Sequence, residues 1–575
     1  MAAATNGRGS GRDFKTFFGL TELPPSRMRP YSVLIVPSSE KVKGARFQIQ
    51  VDIHVKFDGD VDSMSMGGFF GYVTSTPSES ADVRWLHDTV GASTNEFVPA
   101  EESQQFFTML PSMEDYRRIV SVLGADVASN VLLALNDLVA LTELLPRSEL
   151  PKSASKTEVF QKAFIRTAEA FFAYKNAGPI LKGLDAEQIG RMSGDIEVEF
   201  QLAGKKNGHQ LKFRFDHGAE LPKRISVVIG KNGVGKSQAL GRIVNAALVG
   251  DDSALHEGAT NGRVLINRIL AFAPTNESAS VFPSERRKSP KVWYKRFALN
   301  RGGRVRRGGG VADMMLQIAR SESRIGNLLR WQLFLTAIQS ISDWHQIALL
   351  RTNKGDEPVD IQFLRPAEVM DRAGDLSVEA ESEQSIADDN LLDLFAAIDL
   401  NKDPVRYVDG QAFALSSGEI SFLRFAAQAS LYIENGSLLL LDEPETHLHP
   451  NFISQFVALL NTMLAQTGSA AIIATHSVYF VREVFREQVS VLRTTDDGFV
   501  FSDPLRLQTF GADVGAISCF VFGEDEPTKL AADVEQRLLS RYETWDELYA
   551  TYKGELSPEI LSSLRLALER RQANE

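Results

Sequence analysis

Three different hydrophobic patterns occur along the chain. Residues 47–55 alternate apolar and polar side chains, which is the pattern of a half-buried β-strand. Residues 438–441 are consecutive leucines, a run too short for a helix and typical of a strand buried in a parallel sheet. Apolar positions at helical spacing occur in residues 113–145 and 156–176. The chain is therefore predicted to combine sheets and helices.

A glycine-rich loop follows the apolar run 225–229 and precedes an amphipathic helical stretch. Glycines let backbone N–H groups face phosphate oxygens, and the helix N-terminus adds partial positive charge. This predicts a P-loop in which Lys236 binds the β- and γ-phosphates of ATP and Ser237 binds Mg²⁺. A chance cluster of these residue types is the alternative, and the flanking strand and helix argue against it. The residues expected to bind the nucleotide are Gly230, Lys231, Asn232, Gly233, Val234, Gly235, Lys236, Ser237 and Gln238.

Two adjacent carboxylates end the leucine run. We expect Asp442 to hold Mg²⁺ through its water shell and Glu443 to act as the base that orients the attacking water. Acids are common in turns, so this assignment depends on the P-loop upstream.

Residues 415–419 resemble the Leu-Ser-Gly-Gly-Gln signature of ABC ATPases, with Gly418 placed 24 residues (442 − 418) before Asp442. We expect this segment to begin a helix whose N-terminus binds the γ-phosphate held by a second subunit. A serine N-cap on an ordinary helix is the alternative. The expected contact residues are Ser416, Ser417, Gly418 and Glu419.

A histidine ends another predicted strand, residues 470–474, and follows Glu443 by 33 positions (476 − 443). At that strand end His476 could contact the γ-phosphate and report its loss, which makes it the second predicted catalytic residue. The alternative is a histidine that only satisfies a local hydrogen bond.

Three segments carry a family resemblance: Asp442-Glu443-Pro444-Glu445, Leu448-His449-Pro450 and Ala474-Thr475-His476-Ser477. Together they resemble the prokaryotic ABC-type AAA family ATPases related to RecF, SMC and OLD proteins, and most closely the anti-phage defence ATPases of the Septu PtuA kind. The resemblance implies a homodimer or higher oligomer that closes around ATP and Mg²⁺ and controls a separate effector, a nuclease or toxin. A RecF-like DNA repair ATPase that acts directly on DNA is the alternative.

Three related classes are disfavoured by the sequence: SMC proteins, OLD nucleases and the ATPases of membrane transporters. The 177 residues between Ser237 and Leu415 (415 − 237 − 1) lack the sustained heptads of an SMC coiled coil. Neither Asp496-Asp497 nor residues 524–526 follow an apolar strand of the kind that an OLD nuclease site needs. Residues 275–277 also depart from the glutamine loop of transporter ATPases.

The resulting fold prediction is an α/β, ABC-type P-loop ATPase with additional regions at both ends. We expect a disordered N-terminus over residues 1–25 and an N-terminal α+β domain over residues 26–188. The ATPase domain, with an inserted helical lobe, is predicted over residues 189–505, and a helical C-terminal extension over residues 506–575. The helices of this extension could pack on the ATPase or dock a second protein.

Composition favours a cytoplasmic protein. The single cysteine, Cys519, cannot form an internal disulfide, and no apolar run approaches the length of a membrane-spanning helix. We therefore expect no membrane association.

Charge is unevenly distributed in a chain of net charge −12. Residues 286–307 contain ten basic side chains and no acid, so the stretch from Arg286 to Arg307 could contact DNA phosphates. A solvated hairpin with inward-facing aromatic residues is the alternative. Residues 375–399 contain eight acids and no Lys or Arg, which favours a solvated insertion.

Overall fold

The structure is a computed structural model, and the chain folds into two compact units, Met1–Phe510 and Gly511–Glu575. The residues described are 14–21, 28–39, 46–57, 63–74, 81–101, 103–184, 187–201, 207–258, 260–274, 281–287, 289–299, 310–321, 323–352, 358–364, 394–448, 450–495, 499–522 and 529–574.

The first unit opens with a six-stranded sheet of order β5-β1-β2-β3-β4-β6. Buried and half-buried residues alternate along β3, as the sequence pattern predicted. One helix interrupts the strands in sequence. The elements are β1 (Lys15–Gly19), β2 (Ser32–Pro37), β3 (Gln50–Lys56), β4 (Met64–Tyr72), α1 (Arg84–Gly91), β5 (Phe97–Pro99) and β6 (Phe106–Met109).

The position of β1 corrects one prediction. This strand lies inside the first 25 residues, which were expected to be disordered, and it pairs in parallel with β2. Phe18 is fully buried and its ring makes edge contacts with Phe70 and Trp85, so a short apolar run fixes this strand in the sheet. Residues 1–13 and 22–27 lie outside the described residues.

Short helices follow the sheet and share its hydrophobic core. Polar caps start several of them: Asp137 accepts from two backbone N–H groups of α4, and Thr157 and Thr167 cap α6 and α7. The elements are α2 (Met113–Leu123), α3 (Ala125–Ala134), α4 (Leu138–Leu144), α5 (Leu150–Ser155), α6 (Glu158–Lys162) and α7 (Ala168–Asn176).

The chain then forms the first part of the P-loop region. This region includes a three-stranded antiparallel sheet of order β10-β7-β8, in which β7 and β8 are antiparallel partners. The elements are β7 (Asp195–Gln201), β8 (Gly208–Arg214), β9 (Ile225–Gly230), α8 (Lys236–Val249), β10 (Leu255–His256), β11 (Arg268–Ala273) and β12 (Trp293–Ala298).

Helices and small antiparallel strands come next, before the chain returns to the central sheet. The elements are α9 (Val311–Arg320), β13 (Arg324–Ile325), β14 (Leu328–Leu329), α10 (Arg330–Ile338), β15 (Ile347–Leu349), β16 (Val359–Asp360), β17 (Val405–Val408), β18 (Gln411–Ala414), α11 (Ser417–Tyr432), β19 (Leu438–Asp442), α12 (Pro450–Thr467), β20 (Ala470–Thr475), α13 (Val478–Arg482), β21 (Val489–Thr494) and β22 (Val500–Pro504). The acidic residues 375–393 lie outside the described residues.

The central sheet has seven strands in the order β12-β11-β19-β20-β9-β21-β22, and its strands are parallel except for β22. Every residue of β9, β19 and β20 is buried, which explains their continuous apolar sequences. Because the three strands are neighbours and parallel, their carboxyl ends lie side by side. The predicted α/β fold is confirmed, and the site residues are placed at one edge of the sheet.

The second unit consists of helices around a small apolar cluster that includes Leu538, Leu548 and Leu564. As predicted for the C-terminal extension, this part of the chain is helical. The elements are α14 (Val514–Phe522), α15 (Lys529–Arg541), α16 (Trp545–Tyr552) and α17 (Pro558–Asn574). Among the described helices, none combines the length and apolar character needed to cross a membrane.

Candidate functional site

The P-loop connects β9 to α8 at the centre of the sheet. Gly233 and Gly235 have φ values of +81° and +97°, in the left-handed region that glycine adopts without a steric penalty. Gly230 also needs to be glycine, because a Cβ there would lie 2.4 Å from the carbonyl oxygen of Leu492. Lys231, Asn232 and Gln238 are exposed and Val234 is buried. The loop therefore has the backbone of a phosphate-binding turn at a helix N-terminus.

Lys236 is held inside this turn. Its side chain is buried, and Nζ donates to the carbonyl oxygens of Gly230 at 2.9 Å and Lys231 at 3.3 Å. Burial lowers the pKa of Lys236, while Glu443, Glu445 and Asp442 act in the opposite direction. The ammonium group is thus placed to neutralise phosphate charge at the start of α8.

Asp442 is the last residue of β19 and is also buried. Burial raises its pKa to about 6, although a hydrogen bond with Ser237 acts in the opposite direction. Its Oδ1 is buried without a hydrogen-bond partner among the described residues. A buried carboxylate oxygen beside the first hydroxyl of the P-loop helix fits hydrated Mg²⁺, which proteins bind through one or two such oxygens together with phosphates.

Glu443 follows Asp442 with a left-handed backbone, φ +43° and ψ +54°. That conformation is unusual outside glycine and costs on the order of 1 kcal/mol. The N–H group of Glu443 donates to the carbonyl of Ala474 at 2.8 Å, which fixes the turn against β20. The carboxylate is one-third exposed, so it is placed at the surface of the site while Asp442 is inside it.

His476 follows the end of β20, with Nδ1 3.9 Å from Glu443 Oε1 and 3.1 Å from Glu445 Oε1. Glu445 Oε1 also accepts from the Thr475 hydroxyl at 2.5 Å and from the His476 N–H at 2.9 Å. Since the Glu445 side chain is only 7% exposed, these contacts fix the strand end and the imidazole together. Sequence reasoning assigned no role to Glu445, although its place in the motif beginning at Asp442 was a signal.

The segment that resembles the ABC signature caps α11. Ser416 Oγ accepts from the Glu419 N–H at 3.2 Å, and Glu419 Oε2 accepts from the Ser416 N–H at 2.8 Å. Glu419 also pairs with Arg406 of β17. Ser416 and Ser417 are exposed and Gly418 is buried. Within one chain, Ser416 therefore contacts Glu419 of its own helix. The residues brought together at the strand ends are Lys236, Ser237, Asp442, Glu443 and His476.

The basic stretch differs from the predicted hairpin. Residues 293–298 form β12, which pairs in parallel with β11, so this part of the stretch is a sheet strand. Trp293 and Phe297 contact the ring of Tyr432, and Lys295 Nζ lies 3.5 Å from that ring's centroid. Arg286 and Arg287 are exposed. Residues 288 and 300–309 lie outside the described residues, as do residues 275–277, which depart from the glutamine loop of transporter ATPases.

One family model matches part of the chain. Residues 375–482 match a family model described as "AAA domain, putative AbiEii toxin, Type IV TA system". The matched segment contains the signature-like residues, both carboxylates and His476, and it begins after the P-loop. This segment of the chain is thus similar to an AAA domain family.

The chain spans about a fifth of the length of the curated relative that it matches. Protein ea59 of Escherichia phage lambda is 34% identical over 109 residues, which are 19% of this chain and 20% of ea59. UvrA2 from Deinococcus radiodurans superposes with a TM-score of 0.24 and 16% identity, covering 51% of this chain and 34% of UvrA2. The SMC head domain from Thermotoga maritima gives a TM-score of 0.25 and 10% identity, covering 55% of this chain and all of that domain.

Proposed function

We propose that the chain is an ATP-hydrolysing switch of ABC type that closes as a dimer around ATP and Mg²⁺ and controls a separate effector protein in bacterial anti-phage defence. One observation carries the ATPase part of this proposal. The buried ammonium of Lys236, the partnerless oxygen of Asp442 and the outward carboxylate of Glu443 all lie where three parallel strands end. These are the charges that phosphoryl transfer to water needs.

Each residue has a distinct part in the proposed reaction. Lys236 and the loop amides bind the β- and γ-phosphates, and Asp442 and Ser237 hold Mg²⁺, which neutralises the charge that develops on the phosphates. Glu443 accepts the proton of the attacking water, for which its partly exposed position is suited. Glu445 orients His476, whose imidazole contacts the γ-phosphate.

ATPase measurements on purified protein test the reaction. We expect Lys236→Ala to abolish ATP binding, because the phosphate charge loses its buried partner. Glu443→Gln keeps the shape of the site but removes the base, so it should retain ATP and slow hydrolysis roughly 10²-fold or more. Glu555→Gln, an exposed glutamate of the second unit, is the control. Turnover of Glu443→Gln near the wild-type rate would place the base elsewhere.

The defence part of the proposal is supported by the matching family model, whose description names a toxin of a type IV toxin–antitoxin system. It also draws on the resemblance of residues 442–450 and 474–477 to defence ATPases. Phage plating on cells that carry the gene with its neighbours tests it. We expect wild type to reduce plaque numbers and Lys236→Ala to restore them. Equal plating with and without the intact gene would contradict a defence role.

Direct action on DNA is the second candidate, and the exposed side chains of Arg286 and Arg287 favour it. Reversing both to Glu should weaken duplex DNA binding and reduce the log–log salt slope by about 0.9 for each lost phosphate contact. An unchanged affinity and slope would leave a protein effector as the client.

A further inference from the structure

A cavity of about 320 Å³ lies outside the site at the strand ends. One side is formed by β3, β4 and the start of α1, and another by the connection between α6 and α7. Ser289 and Pro290, just before β12, complete the wall. The cavity therefore lies where the N-terminal sheet and helices meet a connection of the central sheet.

The floor of the cavity is apolar and aromatic. Ile49, Val83 and Phe164 are buried there, while Phe47 and Phe69 are half-buried and keep part of their rings accessible. Half-buried aromatic rings at the floor of a cavity favour a flat, apolar ligand group that stacks on them.

The rim of the cavity is basic. Arg46 and Lys162 both pair with Glu158, with Arg46 Nη2 2.7 Å from Glu158 Oε2, so two cations share one carboxylate. Arg166 lines the cavity as a third cation, and it acts on Lys291 nearby as a like charge. The excess of positive charge favours an anionic ligand group at the rim.

We propose that this cavity binds a small anionic ligand that carries a flat ring, with the size and chemistry of a nucleoside monophosphate. The ring would stack on Phe47 and Phe69, and the phosphate would pair with Arg46, Lys162 and Arg166. The guanidinium of Arg46 lies 5.2 Å from the centroid of the Phe47 ring. The two neighbouring side chains can therefore contact the phosphate and the ring of the same ligand. The volume is at the lower end of the range of about 300–1,000 Å³ for small-molecule sites, which fits one nucleotide.

The wall residue Ser289 supports a ligand role for this region. Its φ of +52° lies in the left-handed region that few non-glycine residues adopt. Backbone conformations of this kind occur disproportionately where ligands are held.

Calorimetry on the full-length chain tests the proposal. AMP, GMP, CMP and UMP are titrated separately into Lys236→Ala, a background in which the P-loop no longer holds phosphate. We expect at least one of them to bind with a Kd below about 1 mM. Adding Arg46→Glu and Lys162→Glu should weaken that binding roughly tenfold or more, because charged hydrogen bonds to the phosphate are lost.

A second charge-reversed pair provides the matched control. Lys152 and Lys182 are exposed lysines that pair with Glu149 and Glu143 outside the cavity, so reversing both should leave the affinity within about twofold. Thermal melts verify that both doubly reversed proteins fold. Gln48→Trp, from an exposed position on the cavity wall, tests the same site by filling it and should also abolish binding.

Two results would overturn the proposal. One is that none of the four mononucleotides binds the Lys236→Ala protein. The other is that the mononucleotide binds equally well to the cavity variants and to the control pair, which would place its site elsewhere.

Discussion

At the scale of single residues, Asp442 and Glu443 are adjacent carboxylates that the fold places in opposite environments. Asp442 is 4% exposed, whereas the side chain of Glu443 is 33% exposed. Burial raises the pKa of Asp442 to about 6, and the left-handed backbone of Glu443 turns the second carboxylate away from the strand. These different environments fit the proposed roles of Asp442 as a metal ligand and of Glu443 as a base.

The raised pKa of Asp442 predicts that its ionised carboxylate destabilises the fold when neither nucleotide nor metal is bound. Its folded-state pKa of about 6 lies above the ordinary value of 3.8, so the ionised carboxylate opposes folding above pH 6, and this effect disappears as the pH falls to 3.8. We expect Asp442→Asn to stabilise the nucleotide-free protein at pH 7.5 by up to about 3 kcal/mol and to have no such effect near pH 4. Thermal melts at both pH values measure this. A variant that melts below wild type at pH 7.5 would contradict it.

Glu445 is predicted to act by positioning His476. Glu445→Ala removes the acceptor of the Thr475 hydroxyl and of the His476 N–H, so kcat should fall roughly 10- to 100-fold while the Kd for ATP stays near wild type. Glu445→Gln keeps an acceptor oxygen and should recover part of the rate. Steady-state kinetics and calorimetry separate the two quantities. Equal rates for the Ala and Gln variants would argue against positioning through this oxygen.

Sequence reasoning found Lys236, Ser237, Asp442 and His476 because each belongs to a motif whose spacing reflects its chemistry. It gave Glu445 no role, since that role arises only where the ends of β19 and β20 approach each other. Contacts between strands that are distant in sequence leave little periodic signal.

At the scale of elements, α11 connects the signature-like segment to the rest of the unit. Arg330 of α10 donates to the carbonyls of Ser430 at 2.9 Å and Ile433 at 2.7 Å. Arg117 of α2 pairs with Glu434 at 3.0 Å, just beyond the helix. These cations complement the negative end of the helix dipole. The N-terminal helices and the central sheet region therefore meet at the end of the helix that begins at Ser416.

Glu434 is predicted to be the main stabilising residue of this junction. Although burial alone would raise its pKa, Arg117, Arg330 and Arg268 lower it to about 2. Because that value lies below the ordinary 4.5, the stabilisation is complete above pH 4.5 and is lost as the pH falls towards 2. Glu434→Gln should cost about 3–5 kcal/mol at pH 7, since it leaves buried arginines without a counter-charge.

Urea unfolding of wild type and Glu434→Gln at several pH values measures this loss. Glu158→Gln, which breaks an exposed ion pair, is the control and should cost less than about 1 kcal/mol. The difference between wild type and Glu434→Gln should shrink as the solution is acidified from pH 5. A difference that stays constant down to pH 3 would show that charge is not the cause.

Some strands and helices could be predicted from the sequence and others could not. The strand β19 and the helices α15 to α17 could be predicted because their apolar residues follow the pattern that a buried strand or an amphipathic helix requires. The strand β12 was not predicted within the basic stretch, for which a DNA contact and a solvated hairpin were the alternatives, because its Lys and Arg residues dominate the composition and its parallel partner β11 lies beyond a long connection. Arg117 and Glu434 are 317 positions apart, so no local pattern could reveal their pairing.

At the scale of the whole molecule, the P-loop, the carboxylates and His476 share one edge of the sheet, whereas Ser416 and Ser417 are exposed at the start of α11. In the proposed dimer, that exposed helix start completes the site of the second subunit. The capping contacts between Ser416 and Glu419 agree equally with an ordinary capped helix. The proposed dimer therefore needs a test in which the intact P-loop and the intact signature-like segment are on different chains.

Mixed dimers provide that test. A Lys236→Ala subunit has a defective P-loop and an intact signature-like segment, and a Ser416→Arg subunit has the reverse. In a mixed dimer, one composite site carries both defects and the other carries neither. Each variant alone should be inactive, and mixing them should restore up to about one quarter of the wild-type ATPase rate, because half of the dimers are mixed and each has one intact site.

Subunit exchange must be shown in the same samples, for example by energy transfer between labelled chains. If exchange occurs and no activity returns, mixtures of wild type with Ser416→Arg separate the remaining explanations. In those mixtures, the activity could fall in proportion to the number of intact sites. That result would show that the two sites work independently, and it would contradict the proposal that the signature-like segment acts on the site of the other subunit. Activity that falls as the square of the wild-type fraction would mean that a dimer with one defective site is inactive, so that hydrolysis needs both sites at once and the closed dimer acts as a single switch.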